Sequence, residues 1–202
     1  MSLASPDDIL DDWIGPAAHD ATLAGARMGV WFGRSDAVDR DLRARYLTTL
    51  QALADGLAET WAERGARPRL AAIIAMDQFT RNIFRGTAKA FTLDDRALGL
   101  AKEGLVLGQD AELTEIEQVF FYMPLQHSER MADQALSVDL FGRLVDSARE
   151  AFRPIMANCL DYARQHRDVI ERFGRFPHRN AMLGRPNTAA EQEYLAQPGA
   201  GF

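Results

Sequence analysis

The chain has 202 residues, 47% of them hydrophobic and 26% charged, which suits one packed domain over residues 1–202 and excludes wholesale disorder. Its 29 acidic and 23 basic side chains leave a net charge of −6, which argues against a nucleic-acid surface, because phosphate binding needs an excess of Lys and Arg. Cys159 is the single cysteine, so no disulfide can form within the chain.

Residues 1–10 carry no basic run and no apolar stretch, so they do not read as a signal peptide. Ser5-Pro6-Asp7-Asp8 opens a first helix instead, with a capping serine, proline in the first turn and acids near the positive end of the helix dipole. Gly15-Pro16 closes it. A second helix is expected over 22–32, stopping at Gly33, and a long third over 37–64. The third carries Leu42, Tyr46, Leu50, Leu53, Leu57 and Trp61 at three- and four-residue spacing. Gly65 ends it, and Pro68 starts the next, which runs towards Phe79. Residues 70–76, the longest strongly apolar run, fall far short of the roughly 20 residues a membrane span needs, so the expectation is a cytoplasmic protein.

Thr92-Leu93-Asp94-Asp95 begins a helix that ends near Gly108, and Thr114-Glu115 begins one that meets Pro124. A helix is expected over 129–152. Pro154 starts another, which Gly174 terminates, and Thr188-Ala189-Ala190-Glu191 is a capping-box pattern for a short last helix stopped by Pro198. The pattern is all-α, with roughly eight to ten helices joined by short connections as antiparallel hairpins. No internal repeat or linker divides it.

Three segments hold more unusual polar residues than a plain bundle requires. In the first, Asp77 follows the apolar positions Leu70, Ile73 and Ile74 at the next helical step, so its carboxylate points inward. Arg81, four residues on, can pair with it, and Gln78 and Asn82 lie alongside. Either this is an internal ion pair that fixes packing, or Asp77 stands in a ligand pocket. The second segment sets Tyr122 before the disturbance at Pro124 and His127 and Glu129 after it, two acid–base groups beside a break. Ser128 reads equally well as the cap of the following helix.

The third segment is the richest. Ile155, Cys159, Tyr162, His166, Ile170 and Phe173 are spaced four, three, four, four and three, which places His166 on a buried stripe. After Gly174 come Arg175-Phe176-Pro177-His178-Arg179-Asn180. Arg175, His178, Arg179 and Asn180 supply donors enough for a carboxylate or phosphate, or for pinning the loop to neighbouring carbonyls. Metal sites have no support from spacing: there is no His-Glu-x-x-His and no zinc-type Cys/His cluster. A glycine-rich phosphate loop and a Gly-x-Ser-x-Gly elbow are also absent, and Cys159 reads as a small core residue, so no cofactor is expected.

These segments also carry a family likeness. Ile9-Leu10-Asp11-Asp12-Trp13, Trp31-Phe32-Gly33, Asp77-Gln78-Phe79 with Arg81-Asn82, Arg85-Gly86-Thr87, Tyr122-Met123-Pro124 with His127-Ser128-Glu129, His166-Arg167-Asp168 and Leu195-Ala196-Gln197-Pro198-Gly199 all contribute. The most distinctive stretch is Arg172-Phe173-Gly174-Arg175-Phe176-Pro177-His178-Arg179-Asn180. The chain resembles, along essentially its whole length, a bacterial family known only as a domain of unknown function, number nine-two-four. That resemblance implies a tetratricopeptide-like helical fold and brings no reaction, cofactor or catalytic residue. Two positions depart from it: Thr80 stands where the family usually has proline, which could reposition Arg81 and Asn82, and Ile14 where an aromatic commonly follows the tryptophan.

The functional expectation is a binding module whose polar segments converge on one pocket for a small anion or a peptide carboxylate. Arg81, Arg175 and Arg179 would be its anion forks, with Asn82, Tyr122 and His166 as orienting hydrogen-bonders. The competing readings are a hydrolase, using Asp77 or Glu129 as base and His127, His166 or His178 as acid or metal ligand, and a scaffold without any site.

Overall fold

The structure, a computed structural model, describes residues 3–201. Met1, Ser2 and Phe202 lie outside it, and with them the first residues of the stretch read for a targeting signal. Every regular element among the described residues is helical. In chain order the α-helices are α1 (Pro6–Trp13), α2 (Ala21–Trp31), α3 (Asp36–Ala52), α4 (Ala58–Ala62), α5 (Ala66–Ile74), α6 (Thr80–Ile83), α7 (Asp94–Val106), α8 (Glu115–Gln126), α9 (Met131–Ser147), α10 (Arg153–Phe173) and α11 (Ala189–Leu195). None is long and apolar enough to cross a membrane.

The caps follow the sequence. Ser5 and Asp8 form a reciprocal capping box at α1, as do Thr114 and Glu117 at α8 and Thr188 and Glu191 at α11. Gly174 ends α10 in the left-handed region at φ 67°.

Four boundaries differ from expectation, each for a local reason. The long helix over 37–64 is two, because Gly56 adopts φ 125° and kinks the chain between α3 and α4. The helix expected at Pro68 begins at Ala66, after Gly65 turns at φ 120°. The segment 129–152 is helical only over Met131–Ser147, and Ser128 is not its cap residue: its hydroxyl accepts the Arg130 N–H at 3.2 Å and donates to Asp133 at 2.7 Å. Pro124 does not stop α8. Every side chain from Val119 to Gln126 is buried, and α5, α7, α9 and α10 enclose the helix, so packing outweighs the hydrogen bond that proline removes.

A wide turn lies at the centre of the fold. Between α5 and α6, residues Ala75–Phe79 form a π-helical segment that closes on Thr80, whose N–H reaches back five residues to the Ala75 carbonyl. The Thr80 hydroxyl donates to the same carbonyl at 3.3 Å. A proline there could make neither bond, so this threonine carries the helix on to Ile83 and keeps Arg81 and Asn82 helical.

Core packing centres on α5, which touches α1, α4, α7 and α8, while α8, α9 and α10 pack as consecutive neighbours. Trp13 stands edge-on to Phe79 at 5.2 Å, and its carbonyl accepts the Trp31 indole N–H at 2.8 Å. Gly104 permits the closest approach in this core. A β-carbon there would lie 2.5 Å from the Phe121 ring and 2.8 Å from the buried Arg69. A second, small apolar cluster of Val169, Ile170 and Phe176 sits apart at the end of α10.

Candidate functional site

The wide turn matters because it resets the helical register. Within it both Asp77 and Gln78 face inward, and both are buried. Asp77 is 1% exposed, yet its carboxylate is fully engaged. One oxygen accepts from His127 Nδ1 at 2.7 Å and from Arg81 at 3.1 Å, and the other accepts from Gln78 at 2.5 Å. Burial acts to raise the Asp77 pKa, but Arg81 and His127 overcome it and hold the group ionised, well below the usual carboxylate range.

His127 is placed by the end of α8. It is the residue after the helix, its N–H bonds the Met123 carbonyl at 3.0 Å, and Gln134 ties down the carbonyls of Gln126 and Ser128 at 2.7 Å each. Because Asp77 only accepts, the proton of neutral His127 belongs on Nδ1 and the lone pair on Nε2. Burial and the nearby Arg81 push the His127 pKa down against the opposing pull of Asp77, so the ring is neutral.

Arg81 does more than pair with Asp77. It donates to the Asp77 carbonyl at 2.6 Å and grips Asp94, the first residue of α7, with both terminal nitrogens at 2.9 Å. Arg179 reaches the same Asp94 carboxylate at 3.2 Å. Its guanidinium lies against Phe91 at 4.8 Å and Phe176 at 4.5 Å. Burial and the charge of Arg81 outweigh Asp94 and lower the Arg179 pKa to about 10.

His166 and His178 complete the group. The His166 ring is 6.1 Å from that of His127 and 5.5 Å from Phe176, and its Nδ1 donates to the Tyr162 carbonyl at 2.8 Å. Burial, then the neighbouring His127, takes its pKa down to about 2. His178 lies 5.5 Å from Phe176 on the loop after α10, and burial followed by Arg179 lowers it to about 4.

Gln78, Arg81, His127, His166, His178 and Arg179 all line one cavity of about 900 Å³. That is at the upper end of small-molecule sites. The opposite wall is apolar: Met28, Trp31 and Phe32 at the end of α2, Val119 and Met123 of α8, and Met182 of the final loop. Asn158, Tyr162 and Gln165 extend the polar lining along α10.

Six of the twelve residues singled out in the sequence therefore face this cavity, and Asp77 stands directly behind it. The other five do not. Asn82 donates to Asp39 at 2.8 Å, and the Tyr122 hydroxyl donates to Asp110 at 2.8 Å. Arg175 pairs with Glu191 at 2.6 and 2.8 Å and with the Pro186 carbonyl, so it is no anion fork. Glu129 accepts from Arg185 at 2.7 and 2.9 Å and from the Phe176 N–H at 2.8 Å, while Asn180 bonds Arg185 and Asn187. These last groups pin the loop that presents Phe176, His178 and Arg179.

Sequence reasoning missed Asp94, which it took only for a helix start, and the whole apolar wall. Tyr162, assigned to the buried stripe, is 47% exposed. A signal for α10 did exist: Asn158, Tyr162 and Gln165 fall at four- and three-residue steps beside Cys159 and His166, so one helical face is both polar and partly buried. Among the described residues, no three His, Cys, Asp or Glu side chains converge as a metal site.

Comparison with curated proteins gives no match. The chain is similar to a solved structure described as a protein of unknown function, ATU0120, from Agrobacterium tumefaciens. The two are 36% identical and superpose with a TM-score of 0.74, over 91% of this chain and 98% of that one. The family model for bacterial proteins of unknown function designated DUF924 matches residues 9–199, and the chain belongs to that family.

Proposed function

We propose that the protein is a cytoplasmic, single-domain binding module whose cavity takes a small molecule with an apolar body and a carboxylate. One observation carries the reading. Arg179 is 7% exposed and lines the cavity, and among the described residues the only hydrogen bond of its guanidinium is the one to Asp94. A buried guanidinium has five N–H donors, so most of its capacity is unmet until an anion arrives. The lowered Arg179 pKa agrees, since burial and the neighbouring Arg81 disfavour its charge and an incoming anion would relieve both. The apolar wall of Met28, Trp31, Phe32 and Met182 suits the rest of such a ligand.

Tetratricopeptide-like stacking belongs to the same proposal: α8, α9 and α10 pack in succession, and α8 and α10 supply much of the wall. Nucleic acid is no part of it, given a net charge of −6.

Isothermal titration with straight-chain mono- and dicarboxylates, inorganic phosphate and short peptides tests the reading. Carboxylates are expected to bind, with Arg179→Gln weakening them at least about tenfold, the value of a charge-assisted bond. Equal affinity of the parent and Arg179→Gln for every binder would refute it, and a preference for peptides would change the ligand class.

A further inference from the structure

We propose that the cavity hydrolyses carboxylic esters, with His127 as the general base that activates water and Asp77 as the residue that positions it; the proposal rests on the carboxylate-binding reading of Arg179.

The argument begins with what the Asp77 network achieves. A carboxylate 1% exposed, met by His127, Arg81 and Gln78, is a poor way to gain stability, because well-packed apolar side chains would serve as well. What it does accomplish is to fix one imidazole. Asp77 holds the proton on His127 Nδ1 and sets the ring plane, while Gln134 fixes the end of α8 from which that ring projects. On the opposite edge, Nε2 has no hydrogen bond among the described residues, and the ring is part of the cavity wall. A neutral imidazole, oriented by a carboxylate and open on one side to a cavity of about 900 Å³, is a base with room for substrate and water.

The nucleophile follows by inspection of the same wall. Cys159 is the cavity's thiol, and it is 7% exposed with its pKa raised by burial to about 12. It stays protonated and is no nucleophile. Among the described residues, Asp77 is the only hydrogen-bond partner of the His127 ring, so no side-chain hydroxyl stands ready for activation. Water is what remains.

The step balances without a further reactant. Nε2 takes a proton from water as the water oxygen bonds the ester carbonyl carbon, and the carbonyl π pair moves onto its oxygen. The positive charge of Arg81, which already acts on His127, favours that oxyanion. The pair then returns to carbon, the bond to the alkoxy oxygen breaks, and imidazolium gives its proton to the departing alkoxide. Ester and water become acid and alcohol, and His127 is neutral again. A substrate carboxylate on Arg179 would hold the carbonyl near Nε2.

Mono-4-nitrophenyl adipate, an ester with a free carboxylate, tests this, with 4-nitrophenyl hexanoate as its neutral counterpart and adipate itself as the binding control. The parent is expected to release many equivalents of nitrophenolate, faster from the anionic ester. His127→Gln should lower kcat by about 100-fold or more while adipate affinity stays within about threefold. Asp77→Asn should lower kcat and move the acidic limb of the pH profile to lower pH, because Asp77 is the group that raises the His127 pKa. A structural role alone would not move that limb. Nitrogen-15 shifts of the unmutated protein should show His127 protonated on Nδ1 at neutral pH, a readout that survives any misfolded variant. Turnover no faster than in His127→Gln, a burst of no more than one equivalent, or a proton on Nε2 would each overturn the hydrolase. With adipate still bound, those results leave the carboxylate site standing. If neither adipate nor any other carboxylate binds, the site itself is wrong.

Discussion

Arg81 and Asp94 are joined by two parallel hydrogen bonds of 2.9 Å each, and Arg179, 85 residues further along than Asp94, meets the same carboxylate at 3.2 Å. One acid at the start of α7 therefore balances two cations, and α6 and the loop after α10 are both anchored through it. Asp94→Asn leaves Arg179 without a carboxylate and Arg81 with Asp77 alone, at a site only 19% exposed. It is expected to lower unfolding free energy by about 3 kcal/mol, the lower end for breaking a buried pair. Urea unfolding measures this, and a change below about 0.5 kcal/mol would show that the pair contributes nothing.

Gly104 sets two effects against each other. Alanine gains about 1 kcal/mol of helix propensity over glycine, but its methyl would sit 2.5 Å from Phe121 and 2.8 Å from Arg69. Overpacking of this kind costs about 1–3 kcal/mol, and Arg69 is held by Leu100, Glu103 and Ala62, so it has little room to yield. Gly104→Ala is expected to be less stable than the parent. A higher melting temperature would mean the helix term wins.

Stability should fall as the medium is acidified below the ordinary histidine range. In the folded protein burial holds His166 down to about 2 and His178 to about 4, whereas unfolded histidines take protons near 6.5. Between those values the unfolded chain binds more protons, so unfolding free energy rises with pH. The contribution is complete above about pH 6.5 and is lost at up to about 1.4 kcal/mol per pH unit for each histidine on the way down. Denaturation curves from pH 4.5 to 7.5 should show this, and His166→Phe should remove about one proton from the slope. A flat profile above pH 5 would contradict buried, neutral histidines.

Glu129 reaches the cavity only through the loop it holds. Glu129→Gln weakens the grip of Arg185 and the bond from the Phe176 N–H. Carboxylate affinity should drop several-fold although Arg179 is untouched, and the Phe176 amide should exchange with deuterium at least about tenfold faster. Unchanged exchange would show that the loop is fixed by other contacts.

The all-helical class and most caps were legible because capping boxes and glycine stops are local: Ser5, Thr114, Gly174 and Thr188 act within one turn. The burial of Asp77 and its pairing with Arg81 were legible for the same reason, since both follow from helical spacing. The partner that matters most, His127, lies 50 residues away, and nothing in the spacing of either segment announces it. Arg175 and Arg179 look equivalent in sequence, four residues apart on the same loop. They part company because Glu191 captures the first and only Asp94 meets the second. Pro124 was misread because its effect depends on how tightly neighbours enclose the helix, which no local pattern reports.

The small cluster of Val169, Ile170 and Phe176 gives the two sides of the hollow unequal permanence. The floor comes from the turn between α5 and α6 and from α8, both packed into the large core cluster. The roof, made by the segment around Phe176 and Arg179, rests on that small cluster, with Phe173 and Tyr194 packed against it, and on ionic ties such as Arg185 to Glu129. Opening of the roof is therefore expected to cost less free energy than unfolding of the floor, which faster amide exchange at Arg179 than along α8 would show.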